Sequence, residues 1–125
     1  MDKTALVASE IDEGRKFLEL ADEAGFPVHA AMWKKEEFPG RWSLLLVTPV
    51  EDEIGPMKTY MRLLKILTKS RERTTIELED LRPISPKSRF AKDLRRLFRK
   101  AKERPIGYTP IGEEFVEEGY LYFAK

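Results

Sequence analysis

Apolar and polar positions change their spacing several times along the chain, and each change marks an element. Over residues 9–24, Ile11, Leu18 and Ala21 recur at helical spacing, and Phe17, Leu20 and Ala24 widen the same apolar face. Ser9, three residues before Asp12, has the spacing of a capping box, and Gly25 supplies a left-handed stop. A first helix over 9–24 is predicted. Residues 28–33 and 41–48 are β-rich apolar runs, separated by a polar stretch that ends in Pro39-Gly40. They predict a β-hairpin with a long loop. Both strands are apolar on both faces, so the hairpin belongs in the sheet centre with cover on each side. A C-terminal element or another subunit is expected to supply the second cover.

Residues 50–55 read as a loop, and Pro56 suits the first turn of a helix, where its missing N–H costs nothing. That helix is expected over 56–69, with Met57, Tyr60, Met61, Leu64 and Leu67 facing the core. Residues 74–78 alternate like a strand that 81–84 extends or turns. A third helix is predicted over 88–102, with Phe90, Leu94, Leu97, Phe98 and Ala101 inside and Pro105 at its end. β-rich runs around Tyr108 and over 120–123 predict a closing hairpin. The order α-β-β-α-β-α-β-β shows no internal boundary. It predicts one α+β domain over 1–125, two- or three-layered, with three helices and a mainly antiparallel sheet.

Composition narrows this picture. With 125 residues, 42% of them hydrophobic and 36% charged, the chain can bury a core and solvate its surface. Cysteine is absent, so disulfides and thiolate metal sites are excluded. Asn and Gln are absent as well, beside abundant Lys, Arg, Glu and Asp. Loss of heat-labile amides with a gain of charge is a thermophile-like composition, and a heat-resistant protein is expected. The first residues lack the basic start and apolar core of a secretory signal, and the longest apolar run, 44–47, is far too short for a membrane span. The expectation is a cytoplasmic protein with no membrane partner.

The common catalytic solutions are missing. One histidine, His29, excludes multi-His metal sites and an HExxH helix; no GxSxG elbow or phosphate-cradling glycine loop occurs. No lysine has an acid two residues before it, as restriction-type nucleases often do. No catalytic residue, metal ligand or cofactor is assigned, and the balance is against an enzyme. His29 alternates with Ala31 and Trp33, which places it on their strand face as a hydrogen-bonded core residue rather than a catalyst. Glu51, Asp52 and Glu53, with Glu77, Glu79 and Asp80, could offer carboxylates to Mg²⁺. Acids just ahead of a helix are better explained by its positive N-terminal end. Tyr120 and Tyr122 share a strand face and could stack bases, but Glu113, Glu114, Glu117 and Glu118 nearby would repel phosphate. Core packing or subunit contact is the better reading.

The net charge of +1 hides a segregated distribution. Residues 1–56 carry a net −6, residues 57–73 a net +5 and residues 87–104 a net +7. Lys58, Arg62, Lys65 and Lys69 form one stripe on the second helix. Lys92, Arg95, Arg99 and Lys102 form another on the third, with Arg96 beside it. Were the two helices neighbours, the stripes would flank a positive groove suited to phosphates, acidic protein or nucleic acid. Without Asn or Gln the bidentate reading of adenine is lost, which disfavours sequence-specific DNA recognition. The expected function is a non-catalytic interaction module working by self-association, as a homodimer or other homo-oligomer, or through a protein partner. One alternative is sequence-independent binding of nucleic acid or another polyanion through the basic helices 57–73 and 87–104. A second is a small ribonuclease-like enzyme using Arg, Lys and Tyr in place of His.

Overall fold

Apolar residues on both faces of a central hairpin demand cover on two sides, and the chain itself provides both. The computed structural model describes residues 5–37 and 41–125. In chain order the elements are α1 (Ala8–Glu23), β1 (Ala30–Lys35), β2 (Trp42–Val47), α2 (Val50–Lys69), β3 (Leu81–Ile84), α3 (Arg89–Phe98), β4 (Arg104–Ile111) and β5 (Glu114–Ala124). The sheet runs β3-β2-β1-β5-β4, antiparallel except for the parallel pair β2–β3. Helices α1 and α2 lie on one face over Ala31, Trp33, Leu44 and Leu46. Helix α3 covers the other over Ala30, Met32, Leu45 and Val47. This is a three-layer α+β domain. The second face of the hairpin is therefore closed by α3 and needs no other subunit. Among the described residues no helix is long and apolar enough to cross a membrane.

Gly14 lets helix α1 seat against Tyr122 and Trp33 of the sheet. A Cβ there would overlap the Tyr122 hydroxyl and lie 2.8 Å from Trp33 Nε1. The space is taken by a buried relay in which Trp33 Nε1 donates to Tyr122 Oη (2.7 Å) and that hydroxyl donates to the Ile11 carbonyl (2.7 Å). Tyr122 thus serves core packing, and burial pushes its pKa well above the ordinary tyrosine value. The start of α1 differs from expectation: Val7 is the N-cap, and Glu10, not Asp12, reaches back to accept from the Val7 N–H.

Four further expectations need correction. Residues 50–54 form a helical turn rather than a loop, and Gly55 (φ 81°, ψ 169°) breaks the helix before Pro56 restarts it. That break sets the phase of the long segment, so Thr59, Leu63, Ile66 and Leu67 face the sheet, while Met57, Met61 and Leu64 do not. Residues 74–78 form no strand, because side chains capture their backbone donors. Thr75 N–H goes to Glu13, Ile76 N–H to Thr74 Oγ1 and Glu77 N–H to Asp80. Helix α3 ends at Phe98, before 102: Lys100 turns left-handed (φ 64°) and gives its N–H to the Ala124 carbonyl. Leu97 is consequently exposed, and Pro105 belongs to β4. The Pro39-Gly40 turn lies outside the described residues.

Candidate interaction surface

The two basic stripes do not form a groove, because α2 and α3 lie on opposite faces of the sheet. On α2, Arg62, Lys65 and Lys69 line a cleft of about 450 Å³ against the end of α1, joined by Arg73. Lys58 lies outside that lining. Arg62 stacks over the Phe26 ring, 5.3 Å from its centroid, and Arg73 pairs with Glu23 at 3.3 Å. Among the described residues no carboxylate pairs with Lys58, Lys65 or Lys69. On α3 two cations serve the fold. Arg95 Nε donates to the Lys125 carbonyl at 2.7 Å, and Arg96 pairs with Asp93. Asp93 also accepts from the Gly112 N–H (2.8 Å), which with Arg96 holds its carboxyl below the usual range. Lys92 remains on the helix; Arg99 is the C-cap and Lys102 lies beyond it.

The phase of α2 leaves a second feature on its outer face. Met57, Met61 and Leu64 are 76%, 62% and 49% exposed and succeed one another at i, i+4 and i+7. Lys58, Arg62 and Lys65 are interleaved with them, so apolar and cationic rows run side by side. Helical spacing alone assigns these three to the core; their neighbouring cations were the available signal that this face meets water.

A third feature lies on the β4–β5 hairpin. Among the described residues β1 accompanies β5 only as far as Lys34↔Gly119, and the hairpin continues as a two-stranded arm. Its inner residues Ile111 and Val116 pack with Phe90, Ala91 and Leu94 of α3. Its outer face exposes Tyr108 (73%) and Phe115 (63%), whose ring centroids are 6.3 Å apart. By alternation Tyr108 would share the buried face of Ile106. A left-handed backbone (φ 46°) turns it outward, and the inward residue of β4 changes from Ile106 to Ile111. Glu113 and Glu117 are exposed beside this pair.

Elsewhere, titratable groups are held by ion pairs or shifted by burial. Lys34 is buried with its ammonium 3.1 Å from Glu36 and 2.9 Å from Glu114, and Arg82 reaches Glu36 at 3.2 Å. Burial pushes the Glu36 pKa up, but Lys34, Ser43 and Arg82 outweigh it and the net direction is down. His29 sits just before β1 and is half-buried, and its Nδ1 has no hydrogen-bond partner among the described residues, so it is not the hydrogen-bonded core residue expected; burial, followed by the charges of Arg95 and Lys125, lowers its pKa. Burial raises the Glu51 pKa and the charge of Asp52 adds to it, while the nearby Thr59 opposes the shift. Among the described residues no group of three or more His, Cys, Asp or Glu is placed to hold a metal ion. Set against family models, curated proteins and solved structures, the chain matches none of them.

Proposed function

We propose that this protein is a non-catalytic interaction module whose working surface is the outer face of α2. One observation carries the reading: three large apolar side chains, Met57, Met61 and Leu64, stand exposed in a row on a helix whose opposite face is fully packed. Single exposed apolar residues are ordinary, but a contiguous row rimmed by charge marks a contact site. Methionine suits such a face because its flexible thioether adapts to a partner. The test compares native-host complexes of the wild type with those of Met61→Glu. Loss of a complex at unchanged melting temperature supports the reading; complexes identical to wild type contradict it.

The α1–α2 cleft favours a second reading, the binding of a polyanion without sequence preference, because Arg62, Lys65, Lys69 and Arg73 converge on it. Its distinguishing readout is salt. If about six phosphates were engaged, affinity would fall about a thousandfold between roughly 50 and 200 mM salt.

A further inference from the structure

We propose that the α1–α2 cleft is a binding site for a compact phosphate ester, its phosphate held by Arg62, Lys65, Lys69 and Ser70 and its organic part laid on Leu20 and Ile66. The proposal rests on the cationic cleft of the second reading and replaces the extended polyanion with a small ligand. The first observation is Ser70. It caps the end of α2, lines the cleft and is 9% exposed, yet its hydroxyl has no hydrogen-bond partner among the described residues. A nearly buried hydroxyl without a protein partner is satisfied from its open side, by what enters the cleft. The second observation is charge. Among the described lining residues four cations meet one acid, Glu23, and Arg73 takes that acid at 3.3 Å. Arg62 is steadied over the Phe26 ring, and Lys65 and Lys69 have no carboxylate partner among the described residues. Three uncompensated cations exceed what a single carboxylate neutralises. A phosphomonoester brings a charge of about −1.5 to −2 at neutral pH, with acceptor oxygens for several donors at once.

The third observation is size. A cavity of about 450 Å³ falls within the range of small-ligand sites. At about 1.5 Å per residue the row from Arg62 to Lys69 is about 10 Å long, the reach of about three phosphates along a strand. The basic row of α3 lies on the other side of the sheet and adds nothing to it. A long polyanion would leave most of its charge unmet here, whereas a compact ester is matched. Leu20 and Ile66, both buried, give the cleft an apolar floor for the ester's organic part.

Amide NMR titration of the full chain at low salt with phenyl phosphate, inorganic phosphate and benzoate tests this. Phenyl phosphate is expected to saturate with a Kd of about 1 mM or below, shifting amides around Leu20 and over 62–73 and leaving those of α3 in place. Inorganic phosphate lacks the ring and benzoate the second charge, so each should bind about tenfold more weakly or worse. Ser70→Ala should weaken phenyl phosphate about tenfold at unchanged melting temperature, because its hydroxyl serves no other bond. A loose ion atmosphere would not register the serine. Lys69→Gln, at an exposed position, is expected to show the same loss and serves should Ser70→Ala fold poorly. Failure to saturate by about 10 mM, equal shifts on α3, or wild-type affinity in either folded variant overturns the proposal. In that event a single-stranded oligonucleotide that still binds through 62–73 leaves the polyanion reading standing, and one that does not bind removes both.

Discussion

Helices α2 and α3 carry cations at similar spacing, yet their surroundings give Arg95 and Arg96 of α3 work that Lys58, Lys65 and Lys69 of α2 lack. On α3, Arg95 ties the helix to the Lys125 carbonyl and Arg96 is held by Asp93, which in turn holds the Gly112 turn. On α2, Lys58, Lys65 and Lys69 have no carboxylate partner among the described residues and lie beside exposed Met57, Met61 and Leu64. A basic stripe read from spacing alone does not separate charge that completes a fold from charge that faces a partner. The difference arises from what each helix has next to it: the β4–β5 turn and the end of β5 for α3, open surface for the outer face of α2.

The comparison breaks most readily on the two faces of α2. Leu63→Ala, beneath the helix, should cost about 3 kcal/mol in urea unfolding, while Met61→Ala, two residues away, should stay within about 0.5 kcal/mol. A larger loss for Met61→Ala than for Leu63→Ala would mean that the helix is turned the other way. Close seating of α1 beside α2 gives the next effect. Gly14→Ala must displace Tyr122 or Trp33 and should destabilise by about 1–3 kcal/mol, although Ala is the better helix former. A neutral or stabilising result would remove the Trp33–Tyr122 relay from the account.

Charge reversal sharpens the contrast between the helices. Arg95→Glu with Arg99→Glu should lower stability by about 1 kcal/mol through the lost bond to Lys125, without disturbing partner binding. Arg62→Glu with Lys65→Glu should do the reverse, weakening binding with a smaller change in melting. The smallest effect concerns Glu103, which pairs with Arg15 of α1 and accepts from the Tyr120 hydroxyl at 2.7 Å. The hydrogen bond from Arg15 chiefly lowers its pKa, with Tyr120 helping against desolvation. A lowered carboxyl stabilises the fold above its unfolded pKa and loses that contribution as pH falls through the folded value. Glu103→Gln should therefore cost less than about 1 kcal/mol at neutral pH, and the difference from wild type should close in acid.

Much of the fold was legible in the sequence. Apolar residues on both faces of 28–33 and 41–48 required a central hairpin with two covers, and Pro56 marked where the long part of α2 starts. The phase of that helix was not legible. Met57, Met61, Leu64 and Leu67 make a more apolar row than Thr59, Leu63, Ile66 and Leu67, and the choice depends on Gly55 and on Thr59 satisfying its hydroxyl on the Gly55 carbonyl (2.7 Å). Residues 74–78 alternate like a strand, but Glu13, distant in sequence, takes a donor that a ladder would need. The opposite placement of α2 and α3 follows from the strand order, which no local pattern records. Tyr108 carries no sequence signal for its left-handed backbone.

Methionine methyl NMR gives the most direct test of α2 as the working face, since Met57 and Met61 lie on it and Met32 is buried beneath α3. As concentration rises, or as native extract is added, the Met57 and Met61 methyl resonances should shift and broaden while that of Met32 holds still. Met57 and Met61 resonances that stay sharp and unmoved under every condition would contradict the account.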